Sequence, residues 1–142
     1  MGARDELFLA SITAMAERRK AEGVAGRGQM SVGELAATLR AAPDLPVMAG
    51  GYAYGVGDVD SYRGYYSDLA IEPGGDATAH QLAGALDAAV GATFTGYKGG
   101  DFVMSRVTPV WVSPYGDASG LAVTGVNVEE GRVVLVLTKE EW

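Results

Sequence analysis

The 142-residue chain predicts an α+β fold, a mainly antiparallel sheet with about three helices packed on it and a C-terminal β-hairpin. Three observations carry that expectation. Two segments open on helix-capping residues and continue with leucine and alanine at helical spacing. Near the C-terminus, two β-branched runs flank a turn that contains glycine. Elsewhere the apolar runs are short and punctuated by glycine or proline, which suits strands and turns better than helices.

Residues 3–22 form the first expected helix. Leu7, Phe8, Ser11, Ile12, Met15 and Ala16 share one stripe, and Arg18, Arg19 and Lys20 lie near the end where the helix dipole favours cations. The stretch from Gly23 to Gly28 reads as a flexible linker. It divides the chain into an N-terminal helix and linker, residues 1–28, and a single α+β domain, residues 29–142. The stripe can pack on its own domain or on a neighbouring copy. The second option predicts a homo-oligomer.

A second helix starts at Ser31, with Glu34 in the capping-box position, and stops before Pro43; Leu35, Ala36 and Leu39 form its stripe. A third starts at Thr78 with Gln81 as its capping partner. Leu82, Leu86, Ala89 and Val90 line one face, and Gly91 suits the C-terminal stop. The two helices align at an offset of 47: Leu35, Ala36, Leu39, Ala41 and Ala42 match Leu82, Ala83, Leu86, Ala88 and Ala89. Two alanine-rich capped helices reach such a match by shared grammar; a duplication is the lesser alternative, since the flanking segments do not match well.

The expected strands follow from β-rich runs. Val47–Ala49 and Tyr52–Tyr54 flank Gly50 and Gly51. Residues 62–72 read as a strand pair or one long bent strand. Phe102–Met104 and Val110–Val112 are short strands, and Pro109 and Pro114 favour an edge or a short strand for the latter. Residues 122–128 and 133–137 form the hairpin, turning at Glu129–Arg132.

Composition narrows the function classes. Glycine supplies 21 of 142 residues, about twice the usual share, so turns and close backbone approaches abound. The chain has no cysteine and one histidine, His80, which rules out thiol chemistry and a multi-histidine metal site within one chain. A net charge of −7 argues against broad contact with nucleic-acid phosphates or anionic lipid. No signal core or membrane span is visible, and the expected location is the cytoplasm. Asp58 and Asp60 open like a calcium loop, but Tyr62 occupies the place of the third oxygen ligand. His80 reads as a solvated residue at a helix start. No metal, catalytic residue or cofactor is assigned.

Three clusters hold the candidate binding residues. In Ser61-Tyr62-Arg63-Gly64-Tyr65-Tyr66, aromatic faces accompany a guanidinium fork, a set that suits a ring to stack on and a phosphate or carboxylate to clamp. On a strand, Arg63 and Tyr65 would point one way and Tyr62 and Tyr66 the other. In Phe94-Thr95-Gly96-Tyr97-Lys98-Gly99-Gly100-Asp101-Phe102, Gly99 and Gly100 can aim backbone N–H groups at an anion beside Lys98, with Tyr97 as a ring. Its glycine spacing is not that of a phosphate-binding Walker loop, because Tyr97 precedes Lys98 and no hydroxyl residue follows. The third cluster, Thr108-Pro109-Val110-Trp111-Val112, offers Trp111 as a core residue or a stacking platform.

The ordered trio Ser61–Ala70, Thr93–Phe102 and Thr108–Val112 resembles a group of small, uncharacterised proteins encoded by bacteriophages, over roughly residues 31–130. The resemblance implies a phage or prophage origin and action in the host bacterial cytoplasm. It implies no activity. By analogy with small phage proteins that sequester nucleotide signals of host immunity, the leading expectation is a sequestering protein for a small anionic, ring-containing, nucleotide-like ligand. Its binding residues would be Arg63, Tyr65, Tyr66, Tyr97, Lys98, Gly99, Gly100 and Trp111. The alternative is an inhibitor or adaptor that applies a tyrosine-rich face to a host protein. A phosphodiesterase or hydrolase ranks third, for want of a metal or base set.

Overall fold

Ser31 and Thr78 start the two described helices. The computed structural model describes residues 28–50, 55–96, 98–113 and 120–138. The helix expected over residues 3–22, with the oligomer contact assigned to it, and the Tyr52–Tyr54 strand lie outside the described residues. Helix α1 spans Val32–Ala41 and helix α2 Ala79–Ala89. At α2 the capping box is complete: the Thr78 hydroxyl accepts the Gln81 N–H and the Gln81 side chain accepts the Thr78 N–H. At α1 the Ser31 hydroxyl accepts the Glu34 N–H at 3.3 Å but donates to the Glu34 carboxylate at 3.2 Å.

Among the described residues eight strands accompany the helices: β1 (Val47–Ala49), β2 (Val56–Ser61), β3 (Leu69–Pro73), β4 (Thr93–Thr95), β5 (Asp101–Val103), β6 (Val110–Val112), β7 (Leu121–Glu129) and β8 (Arg132–Thr138). Six form one sheet in the order β1-β8-β7-β6-β3-β2; β4 and β5 form a separate two-stranded sheet. The fold is α+β and mainly sheet, but the large sheet is mixed. Strands β1 and β8 pair in parallel, as do β3 and β6, while β2–β3, β6–β7 and β7–β8 are antiparallel. The expectation of a mainly antiparallel sheet missed the parallel pairs. The cause is topological: α2 and the β4–β5 hairpin intervene between β3 and β6, and such a crossover returns the chain in the same direction.

Alternation along the strands makes two faces. Leu69, Ile71, Val110, Val112, Val123, Val133 and Leu135 join the main core with both helices, whereas Ala70, Trp111 and Ala122 join a second buried cluster with Tyr62. An isolated antiparallel bridge joins Met48 of β1 to Gly55, just before β2, so the two edges of the sheet approach each other. Leu35, Leu39, Leu82 and Leu86 are fully buried in the core that both helices share with the sheet. Each such side chain contributes roughly 1.5–3 kcal/mol of hydrophobic stabilisation. The offset of 47 has a structural counterpart, since Arg40 and Asp87, at matching positions, form an ion pair between the helices.

Residues 62–68 contradict the strand reading. They form a turn-rich loop between β2 and β3, closed by backbone hydrogen bonds from Tyr62 N–H to Asp68 O (2.9 Å) and from Asp68 N–H to Tyr65 O (2.8 Å). Pro109 also misled. Strand β6 lies inside the sheet between β3 and β7, and Pro109 precedes it, opposite Ser31 in an isolated bridge. The missing proline donor therefore falls outside the three-residue ladder.

Candidate functional site

The 61–68 loop, residues 62–68 with the last residue of β2, is seated over Trp111, on the face of the sheet away from the helices. Its strand places Trp111 between Ala70 on β3 and Ala122 on β7, and these small neighbours leave room for the indole. Tyr62 stacks on it at a centroid distance of 4.8 Å with planes 19° apart. Tyr65 lies tilted against it at 5.8 Å. The indole N–H donates to Asp68 Oδ2 at 2.9 Å, and both side chains are buried. The Tyr62 hydroxyl accepts the Gly120 N–H at 2.7 Å.

Close backbone approach makes this possible. A Cβ on Gly64 would fall 2.5 Å from the Tyr62 ring, and one on Gly120 would fall 2.8 Å from the same ring. Only glycine lets both segments close on Tyr62.

The loop also reaches the glycine-rich hairpin. Tyr66 and Phe102 have ring centroids 5.9 Å apart. Gly96 is buried beneath them, where a Cβ would lie 2.9 Å from the Phe102 ring and 3.2 Å from Tyr66. The Ser61 hydroxyl donates to Tyr66 O at 2.6 Å and fixes the same stretch of loop.

The expected site residues divide into groups. Arg63, Lys98, Gly99 and Gly100 are exposed, and Tyr65 is 42% exposed above Trp111. Tyr66 is half-buried against the hairpin. Trp111 is fully buried, so a ligand would meet its ring only after Tyr62 or Tyr65 moved aside. Tyr97 lies outside the described residues. The strand reading that separated Tyr62 from Tyr65 fails, since both rings lie on Trp111, 6.2 Å apart. The reason is the loop, which breaks the two-residue alternation.

The expected anion nest is also altered. Gly99 and Gly100 both have positive φ, as a glycine turn requires. But the Gly99 N–H donates to Gly96 O at 2.9 Å, and the Gly96 N–H to Gly100 O at 2.9 Å. One of the two N–H groups expected to meet an anion is already engaged in closing the turn.

Tyr62 and Asp68 are supporting residues outside the expected binding set. Asp68 lies 43 positions from the indole it accepts, and no spacing pattern announces such a pair. Asp58 and Asp60 lie on β2 as exposed strand residues rather than in a cation-binding loop. Among the described residues no group of three His, Cys, Asp or Glu side chains could hold a metal ion. His80 sits exposed at the start of α2, with Nε2 2.9 Å from Ala42 O and its backbone N–H donating to Asp44. A cavity of about 700 Å³ lies elsewhere, on β7 and β8, lined in part by Leu121, Arg132, Val136 and Leu137. No helix among the described residues is long and apolar enough to cross a membrane.

No protein-family model, curated protein or solved structure matches the chain.

Proposed function

We propose that the protein is a binding module whose 61–68 loop and glycine hairpin form one recognition surface for a small anionic, ring-containing ligand of the nucleotide type. The observation that carries this reading is the contact of Tyr66 with Phe102 and Gly96, which joins the loop that bears Arg63 to the hairpin that bears Lys98. Arg63 and Lys98 supply the charge for phosphate, and Tyr65 offers a half-exposed ring held on a rigid aromatic base. Lys98 and the Gly100 N–H would meet the anion at the hairpin, and Trp111 supports Tyr65 from below. A net charge of −7 does not oppose this, because the contacts an anion would make are local to Arg63 and Lys98.

The resemblance to phage-encoded proteins supplies the setting: a host nucleotide signal held intact in the bacterial cytoplasm, in the service of counter-defence. A second reading has one observation in its favour. Tyr65 stands on an open surface, which also fits a host protein.

Calorimetric titration with a nucleotide panel tests the proposal. Binding that Arg63→Ala and Lys98→Ala each weaken about tenfold or more, at the roughly 1.5–3 kcal/mol typical of a charge-assisted hydrogen bond, supports it. Recovery of a hydrolysed ligand would move the assignment to an enzyme. Co-purification of a host protein with no nucleotide binding would move it to an inhibitor.

A further inference from the structure

The buried Asp68–Trp111 pair has more structure than a core contact requires. The loop is tied down by its two ends and its middle. Asp68 accepts the Trp111 indole N–H at 2.9 Å, and its backbone carbonyl accepts the Tyr62 N–H at 2.9 Å. The Asp68 N–H donates to Tyr65 O at 2.8 Å. Tyr62 covers the indole and takes the Gly120 N–H on its hydroxyl. Asp68 is thus bonded to the sheet through its side chain and to Tyr62 and Tyr65 of the loop through its backbone.

From these contacts we infer that Asp68, Trp111 and Tyr62 form a latch that holds the 61–68 loop in its presenting conformation, and that Asp68 is the positioning residue for Tyr65. The latch can open by itself. Its contacts lie on the outer face in a cluster separate from the core that α1 and α2 fill, so releasing the loop uncovers Trp111 and leaves the helix-filled core in place. A latched loop presents Tyr65 already ordered, which removes an ordering cost from binding. The benefit to recognition rests on the function proposed above; the latch itself stands on the contacts alone.

Limited trypsin digestion of the full chain tests the latch without any ligand, because Arg63 lies in the loop and supplies a cleavage site. Cutting at Arg63–Gly64, mapped by mass spectrometry, reads the open population. Asp68→Ala and Trp111→Phe, the latter keeping a ring but losing the N–H, are expected to raise that cutting about tenfold, the equivalent of one lost hydrogen bond to a charged group. Asp68→Asn, which keeps an oxygen acceptor, is expected to restore protection, and Tyr62→Phe to cut at an intermediate rate. Hydrogen exchange of the Leu35–Leu39 and Leu82–Leu86 amides should stay at wild-type rates throughout. Unchanged cutting in Asp68→Ala and Trp111→Phe would overturn the latch. So would faster cutting matched by equal loss of helix protection, since the loop would then open only with the whole protein. If Asp68→Ala fails to fold, Trp111→Phe and Tyr62→Phe decide by the same two readouts.

Discussion

Tyr66 on the loop and Phe102 on the hairpin face each other at 5.9 Å with planes tilted by 37°. This contact unites two segments that the chain separates by a strand, a helix and a turn. The pair should behave as an energetic unit. In urea denaturation, the double-mutant cycle of Tyr66→Ala and Phe102→Ala is expected to show a coupling of about 0.5–1.5 kcal/mol. A coupling of zero would mean that loop and hairpin are neighbours without interaction.

Glycines provide a prediction with opposite signs. At Gly64 and Gly120 an added methyl meets the Tyr62 ring well inside van der Waals contact. Either change to alanine should cost about 1–3 kcal/mol, as overpacking does. Gly84 lies exposed in helix α2 with open space around the position of a Cβ. There alanine should stabilise by about 0.5–1 kcal/mol through helix propensity. Thermal melts of the three variants check the contrast, and a stabilising Gly64→Ala would refute the packing described around Tyr62.

The helix pair offers a test of which contacts hold the core. Leu39→Ala and Leu86→Ala each empty a fully buried site and should cost about 2–5 kcal/mol. Arg40→Ala removes an ion pair whose side chains are 58% and 42% exposed, and should cost under about 1 kcal/mol, less in high salt. Chemical denaturation at two salt concentrations separates these effects.

Acid should loosen the start of α2. The Thr78 side-chain hydrogen bond, the His80 backbone N–H and, more weakly, the His80 charge hold Asp44 below its ordinary pKa of 3.8, with desolvation opposing them. A depressed carboxylate stabilises the fold above its unfolded pKa, and the contribution is lost as pH falls through the folded value. Below pH 3.8, therefore, Asp44→Asn should lose less stability than the parent protein per unit of pH. Denaturation midpoints between about pH 2 and pH 6 measure this. Parallel curves for the two proteins would contradict the assignment.

What could be read in the sequence was local. The Ser31 and Thr78 caps, the leucine stripes and the hairpin around Glu130-Gly131 follow from neighbours a few residues apart, and the fold keeps all of them. The parallel pairs β1–β8 and β3–β6 were not readable, because periodicity reports which face is buried and not which strand lies alongside. At the site, the crowding of tyrosine, glycine and basic residues was visible. The Asp68–Trp111 bond was not: a buried acid looks like any loop aspartate until the fold brings its partner from 43 positions away.

Nuclear magnetic resonance of the ¹⁵N-labelled protein, titrated with a mononucleotide and a cyclic dinucleotide, tests the central claim most directly. The backbone amides of residues 61–68 and 98–102 should shift together, with one saturation curve, while the amides of β7 and β8 around the Leu121–Leu137 cavity stay unmoved. Shifts confined to that cavity, or none in either segment at millimolar nucleotide, would contradict a shared recognition surface on the loop and the hairpin.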